Sequence, residues 1–123
     1  MTENEISYKL RGIIFNIYNN LGSGLFESVY EEVLAFELKK ANINFKRQVA
    51  IPVIWESIKM DHGFRADIIV ENKVIVEIKS IENISNIHYK QLLTYLRVSE
   101  LKLGLLVNFN SDPLYLKRLV NNL

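Results

Sequence analysis

The chain contains no cysteine. Disulfide scaffolds, cysteine-ligated zinc, iron–sulfur clusters and thiol catalysis are therefore excluded. Proline and glycine are scarce, two and five in 123 residues, too few for a flexible joint or a low-complexity linker. No run approaches the roughly 18 apolar residues that a membrane-spanning helix needs. The first ten residues carry Glu3, Glu5 and Lys9 and no apolar run. They read as neither signal peptide nor anchor, so the expected location is the cytoplasm, with no membrane partner. An excess of one charge sign is missing too. Fifteen Lys and Arg face 14 Asp and Glu, a formal charge of +1. That excludes a binder working by bulk positive charge, but not a nucleic-acid site with local charge.

What is present is a globular composition, 49% hydrophobic and 24% charged. The length suits one domain, so residues 1–123 are expected to fold as a single unit. Ile6, Leu10, Ile13, Ile14, Ile17 and Leu21 recur at helical spacing and predict a first helix, stopped near Asn19-Asn20 before Gly22-Ser23-Gly24. Phe26, Val29, Tyr30, Val33 and Phe36 predict the buried stripe of a second helix, ending near Ala41-Asn42. Three strand signals follow: Phe45 to Trp55, with Pro52 suggesting an edge or bulge; Phe64 to Val70; and Val74 to Lys79. A third helix is expected from about Ile84 to Val98, then a buried strand from Leu103 to Phe109 and a turn at Asn110–Pro113. Leu114 to Val120 reads equally as strand or short helix. The order predicts a sheet with helices packed on it.

The second and third strand signals read as a hairpin around Glu71-Asn72-Lys73. Alternation puts Phe64, Ala66, Ile68 and Val70 on one face and Arg65, Asp67 and Ile69 on the other. Burying both apolar sets pairs Val70 with Val74, Ile68 with Val76 and Ala66 with Ile78. Asp67 then faces Glu77, with Lys79 one step along. Opposed like charges destabilise a sheet. Lys79 and Arg65 offset part of the repulsion, and a divalent metal such as magnesium, manganese or calcium would offset it better. A surface hairpin with ordinary ion pairs is the equal alternative from this pattern.

Asp67 and Glu77-Ile78-Lys79 resemble the D…ExK signature of the PD-(D/E)xK nuclease superfamily. Ala66 stands where the superfamily name has proline. Gly24-Leu25-Phe26-Glu27-Ser28-Val29-Tyr30 matches G-x-x-E-x-x-Y, and the chain resembles the GxxExxY family placed in that superfamily. The likeness continues through Arg47-Gln48, Arg65-Ala66-Asp67, Gln91 to Leu96 and Gly104 to Phe109. The resemblance implies an α/β (α+β) fold with a restriction-endonuclease-like core. This is helix, three strands, helix, strand in a mixed sheet flanked by helices, here with an extra N-terminal helix.

It also implies a nuclease that cleaves nucleic-acid phosphodiesters, DNA first among them, with Mg²⁺ or Mn²⁺. Asp67, Glu77 and the backbone carbonyl of Ile78 would hold the metal. Glu27 would complete the site directly or through a water. Lys79 would orient the attacking water or meet the transition-state charge, since an unperturbed lysine is protonated at neutral pH. From residues alone, Glu27 reads as a helix N-terminal acid favoured by the dipole. Tyr30, Gln48, Arg65, Gln91 and Tyr95 are candidates for substrate contact or support of the site. Gln91 and Tyr95 share a helix face with Ile87. His62 and His88 are left out as surface or satisfied residues. Trp55 reads as packing, with base stacking as its alternative.

Two further readings compete. One is a non-catalytic module that grips nucleic acid or protein. The other is a homodimer through the first helix, where Tyr8 and Phe15 lie off the main stripe. Glu27, Asp67, Glu77 and Lys79 together carry −2, which leaves +3 on the rest of the chain. The near-neutral total thus conceals an acidic pocket in a mildly basic surface.

Overall fold

Thr2 starts the first helix. Its hydroxyl accepts the Glu5 N–H at 3.2 Å, and the Glu5 carboxylate reaches back to the Thr2 N–H, satisfying two backbone donors that a helix start leaves open. The computed structural model describes residues 1–123. Helix α1 spans Glu3–Leu21 and buries Ile6, Leu10, Ile14 and Ile17, the expected stripe less Ile13, which is half-buried, and Leu21, which is exposed. Gly22 ends it at φ +70°. Helix α2 spans Glu27–Lys40. Strands β1 (Phe45–Ala50), β4 (Arg65–Val70), β5 (Val74–Lys79), β6 (Leu103–Asn108) and β7 (Tyr115–Val120) form one sheet in the order β1-β4-β5-β6-β7. Strands β5 and β6 are parallel and joined through α3 (Asn86–Ser99); the other neighbours are antiparallel. This is a mixed α+β fold, consistent with the restriction-endonuclease-like arrangement.

The sheet has a core on each face. Ile68, Val70, Val74, Val76, Ile78, Leu103, Leu105 and Val107 pack under α1 and α2. Ala66, Ile69, Ile75 and Leu106 pack under Leu92, Tyr95 and Leu96 of α3. Burying each such aliphatic side chain is worth about 1.5–3 kcal/mol, so both helical layers are needed to cover a sheet whose middle strands are apolar on both sides.

Several expectations are corrected. The segment from Phe45 to Trp55 is not one strand: β1 ends at Ala50, and after Pro52 the chain forms a separate hairpin of β2 (Val53–Trp55) and β3 (Ile58–Met60). Proline lacks the N–H that would continue the ladder. Trp55 is 67% exposed on that hairpin instead of packed. Helix α2 is rotated from its expected setting. It buries Tyr30, Glu31, Leu34, Ala35 and Leu38, while Phe26 and Phe36 are 81% and 65% exposed. The helix is apolar on two sides, and the face bearing Leu34 and Leu38 fills the core. The last element is a strand, because Tyr115–Val120 pairs with every residue of β6.

The hairpin register holds for Val70↔Val74 and Ile68↔Val76. Beyond Ile68 the β4–β5 ladder opens, so Asp67 and Glu77 are not ladder partners. Strand β1 is irregular at the same level. Gln48 takes φ +49° in mid-strand, a conformation that favours glycine. Gln48 falls opposite Asp67, between the paired Arg47↔Ile68 and Val49↔Ala66. Before this point Phe45, Ile68 and Val70 face α1 and α2; after it Val49, Ile51 and Ala66 face α3. Alternation is dislocated in both strands at once, which is why Ala66 does not share a face with Ile68 and Val70.

Candidate active site

Asp67 sits at this dislocation. With the ladder open, its Oδ2 accepts the Ile78 N–H at 2.8 Å. The side chain takes the place of a backbone carbonyl and ties the two strands across the gap. Glu77 lies one residue earlier on β5, 4% exposed. Its Oε1 is buried with no hydrogen-bond partner. Burial first, and the neighbouring Asp67 charge second, push the Glu77 carboxyl up to about 9. A buried carboxylate beside another carboxylate is costly unless something positive joins them.

Helix α2 reaches this point twice. Glu27 Oε2 accepts the Ser80 N–H at 3.0 Å, and Ser80 Oγ donates to the Leu25 carbonyl at 2.6 Å. These bonds fasten the helix start to the loop that follows Glu77 and Lys79. One turn on, Glu31 is buried. Its Oε1 accepts from Gln48 Nε2 at 2.6 Å and its Oε2 from Arg47 Nε at 3.0 Å. This bonding to Glu31 holds the Arg47 guanidinium above its ordinary range. The same Gln48 Nε2 lies 3.4 Å from Asp67 Oδ1. Arg65 Nη1 donates to the Gln48 carbonyl at 2.9 Å.

The expected residues thus divide. Asp67, Glu77, Gln48 and Arg65 form one connected cluster. Lys79 is next to it on β5, opposite Asn108. Glu27 is engaged by Ser80, and no group of three or more His, Cys, Asp or Glu side chains is close enough to hold a metal. The carboxylates that suit a hard divalent cation are therefore two, Asp67 and Glu77, which is enough for an ion that keeps several waters. The orphaned Glu77 Oε1 supports that fit. Tyr95 is buried and faces the site: burial, then the Glu77 charge, pushes its phenol up. Gln91 Nε2 donates to the Tyr95 hydroxyl at 3.2 Å. Gln91 and Ile87 are exposed, so of that helix face only Tyr95 is buried.

Tyr30 lies inside the core instead of at the surface. It is fully buried and stacks on Phe109 with centroids 4.2 Å apart. Its hydroxyl donates to the Gly22 carbonyl at 2.6 Å and accepts the Leu25 N–H at 3.3 Å, so it shapes the turn before Glu27. His88 caps α3, its Nδ1 accepting the Ser85 N–H. Sequence reasoning missed Glu31 and Asn108. Asn108 is fully buried; its side chain accepts from Ile81 N–H and donates to the Ile81 carbonyl. A polar residue inside the apolar run Leu103–Phe109 was the available signal, since it needs a partner.

The family model of the PD-(D/E)XK nuclease superfamily matches residues 4–119. A solved structure, titled crystal structure of SSO0001, is similar with a TM-score of 0.57 and 26% identity. The similarity covers 78% of this chain and 50% of that one, so the chain spans half of that chain's length. No curated protein matches the sequence.

Proposed function

The chain belongs to the PD-(D/E)XK nuclease superfamily, and from that premise we propose that it hydrolyses nucleic-acid phosphodiester bonds with Mg²⁺ or Mn²⁺. The observation that carries the reading is the buried, unpartnered Oε1 of Glu77 beside Asp67. A group left this way costs stability and calls for an explanation. Asp67 and Glu77 would hold the cation, with the Ile78 carbonyl as a third oxygen. A divalent ion bound there supplies charge relief at the phosphate and a more acidic water. The protein's own part is placement. Asp67, tied to Ile78 N–H, is fixed relative to β5. Glu27, through Ser80, fixes the loop following Lys79. Lys79, two residues after Glu77 on the same strand, would supply its amine to the attacking water or to the developing phosphate charge. Placement of this kind contributes to the rate by keeping reacting groups aligned before the reaction begins.

The G-x-x-E-x-x-Y match at Gly24–Tyr30 supports the narrower reading of a GxxExxY-type protein. DNA is the substrate to test first. A cytoplasmic location and a homodimer through α1 belong to the same reading; Tyr8 is 81% exposed there, and light scattering tests the dimer.

The test is cleavage of labelled single- and double-stranded DNA and RNA with Mn²⁺ or Mg²⁺, alongside Asp67→Ala. We expect cutting by the parent and a fall to background in the variant. No cutting of any polymer, together with no Mn²⁺-induced rise in melting temperature, overturns the proposal.

A further inference from the structure

We infer that Glu31 and Gln48 form a positioning relay by which α2 sets the orientation of Asp67; the inference rests on the metal-site reading above. Three observations meet at Gln48. Its backbone is left-handed in the middle of a strand, a conformation that persists only where the surroundings over-determine it. Those surroundings are present: Arg65 grips its carbonyl and Glu31 grips its side-chain amide. Glu31 is itself buried and fixed by Arg47, so the grip is not a loose surface contact.

A carboxylate only accepts hydrogen bonds, so Glu31 forces the NH₂ end of the Gln48 amide toward itself. The second N–H of that NH₂ then points at Asp67 Oδ1, 3.4 Å away. Asp67 is held from two directions, weakly by Gln48 at Oδ1 and firmly by Ile78 at Oδ2. This fixes the carboxylate plane while leaving Oδ1 free to take a stronger partner. Partners of a ligating carboxylate act in this way on metal affinity. The irregular backbone is what lets neighbouring residues Arg47 and Gln48 both reach Glu31: in a regular strand their side chains would point to opposite faces.

The test measures Mn²⁺ binding to the full chain by calorimetry, without nucleic acid, alongside melting temperature. Gln48→Gly suits the left-handed backbone and removes the amide. It should melt within a few degrees of the parent yet bind Mn²⁺ about 10–100-fold more weakly. Glu31→Ala should lose a similar factor, and the double variant should lose no more than either single one, because the two act in series. Glu31→Gln offers one acceptor oxygen where Arg47 and Gln48 each use one, so it should weaken Mn²⁺ binding as well, though less than Glu31→Ala. A Gln48→Gly protein that binds Mn²⁺ like the parent, or losses that multiply in the double variant, overturns the relay. A parent that binds no Mn²⁺, indistinguishable from Asp67→Ala, instead overturns the metal reading and the relay with it.

Discussion

The two halves of the β1–β4 pair differ within six residues. From Phe45 to Arg47, opposite Ile68 to Val70, the ladder is regular, and its inward residues feed the core under α1 and α2. From Gln48 to Ala50, opposite Arg65 to Asp67, the faces invert, the β4–β5 ladder is open, and polar side chains bond across the gap. The regular half contributes stability by burial. The dislocated half gives some of that up and gains a fixed carboxylate with a buried neighbour. Stability and chemistry are thus assigned to adjacent stretches of the same strands, and each can be perturbed with limited effect on the other.

The largest expected effect comes from the regular side of that division. Ile75 on β5 is fully buried and pairs with Ile69. Ile75→Ala removes that packing and should cost about 2–5 kcal/mol in denaturant unfolding. Per folded molecule, its Mn²⁺ affinity should match the parent. A large loss of affinity in the folded variant would show that the two halves are not separable.

Next is the pH response of the metal-free protein. Glu77 has a folded-state value near 9 against an ordinary 4.5. The folded state therefore holds a proton that the unfolded state has released. The stability it contributes is fully present below about pH 4.5 and is lost as pH rises through about 9. The metal-free melting temperature should fall across that window. Glu77→Gln should flatten this dependence and leave the protein more stable than the parent at pH 8–9, while abolishing the rise with Mn²⁺. A parent profile that is flat or rising from pH 5 to 9 would mean Glu77 is not the strained group described here.

What the sequence made legible follows the same division. The pairing of Val70 with Val74 and of Ile68 with Val76 came from alternation, and alternation holds in the regular half. The proximity of Asp67 and Glu77 came from extending that register, but their actual contact does not use it. Nothing in Gln48 announces a left-handed backbone, because only glycine or asparagine advertises one. Glu31 was hidden because glutamate is normally a surface residue, and its burial depends on Arg47 and Gln48 arriving from another element. Helix α2 could be oriented by Phe26, Val29 and Phe36 or by Tyr30, Leu34 and Leu38. Spacing alone does not choose between two apolar stripes; the volume left beneath α1 does.

The smallest effect tests whether the division is complete, because Tyr30 belongs to the core and still touches the site's scaffold. Its ring is buried against Phe109, while its hydroxyl joins Gly22 to Leu25. Leu25 in turn receives Ser80, whose N–H is held by Glu27. Tyr30→Phe keeps the ring and removes both bonds of the hydroxyl. Gly22 is only half-buried, so water can replace part of what is lost, and the cost should be about 1 kcal/mol, a few degrees in melting temperature. If the core and the site are joined through this chain, cleavage should also fall several-fold with Mn²⁺ affinity unchanged, because Glu27 and Ser80 would be displaced and Asp67 and Glu77 would not. If cleavage per folded molecule is unaltered, the hydroxyl serves only the turn. The boundary between the stabilising and the chemical parts of the molecule then lies between Tyr30 and Glu31, adjacent residues on one helix.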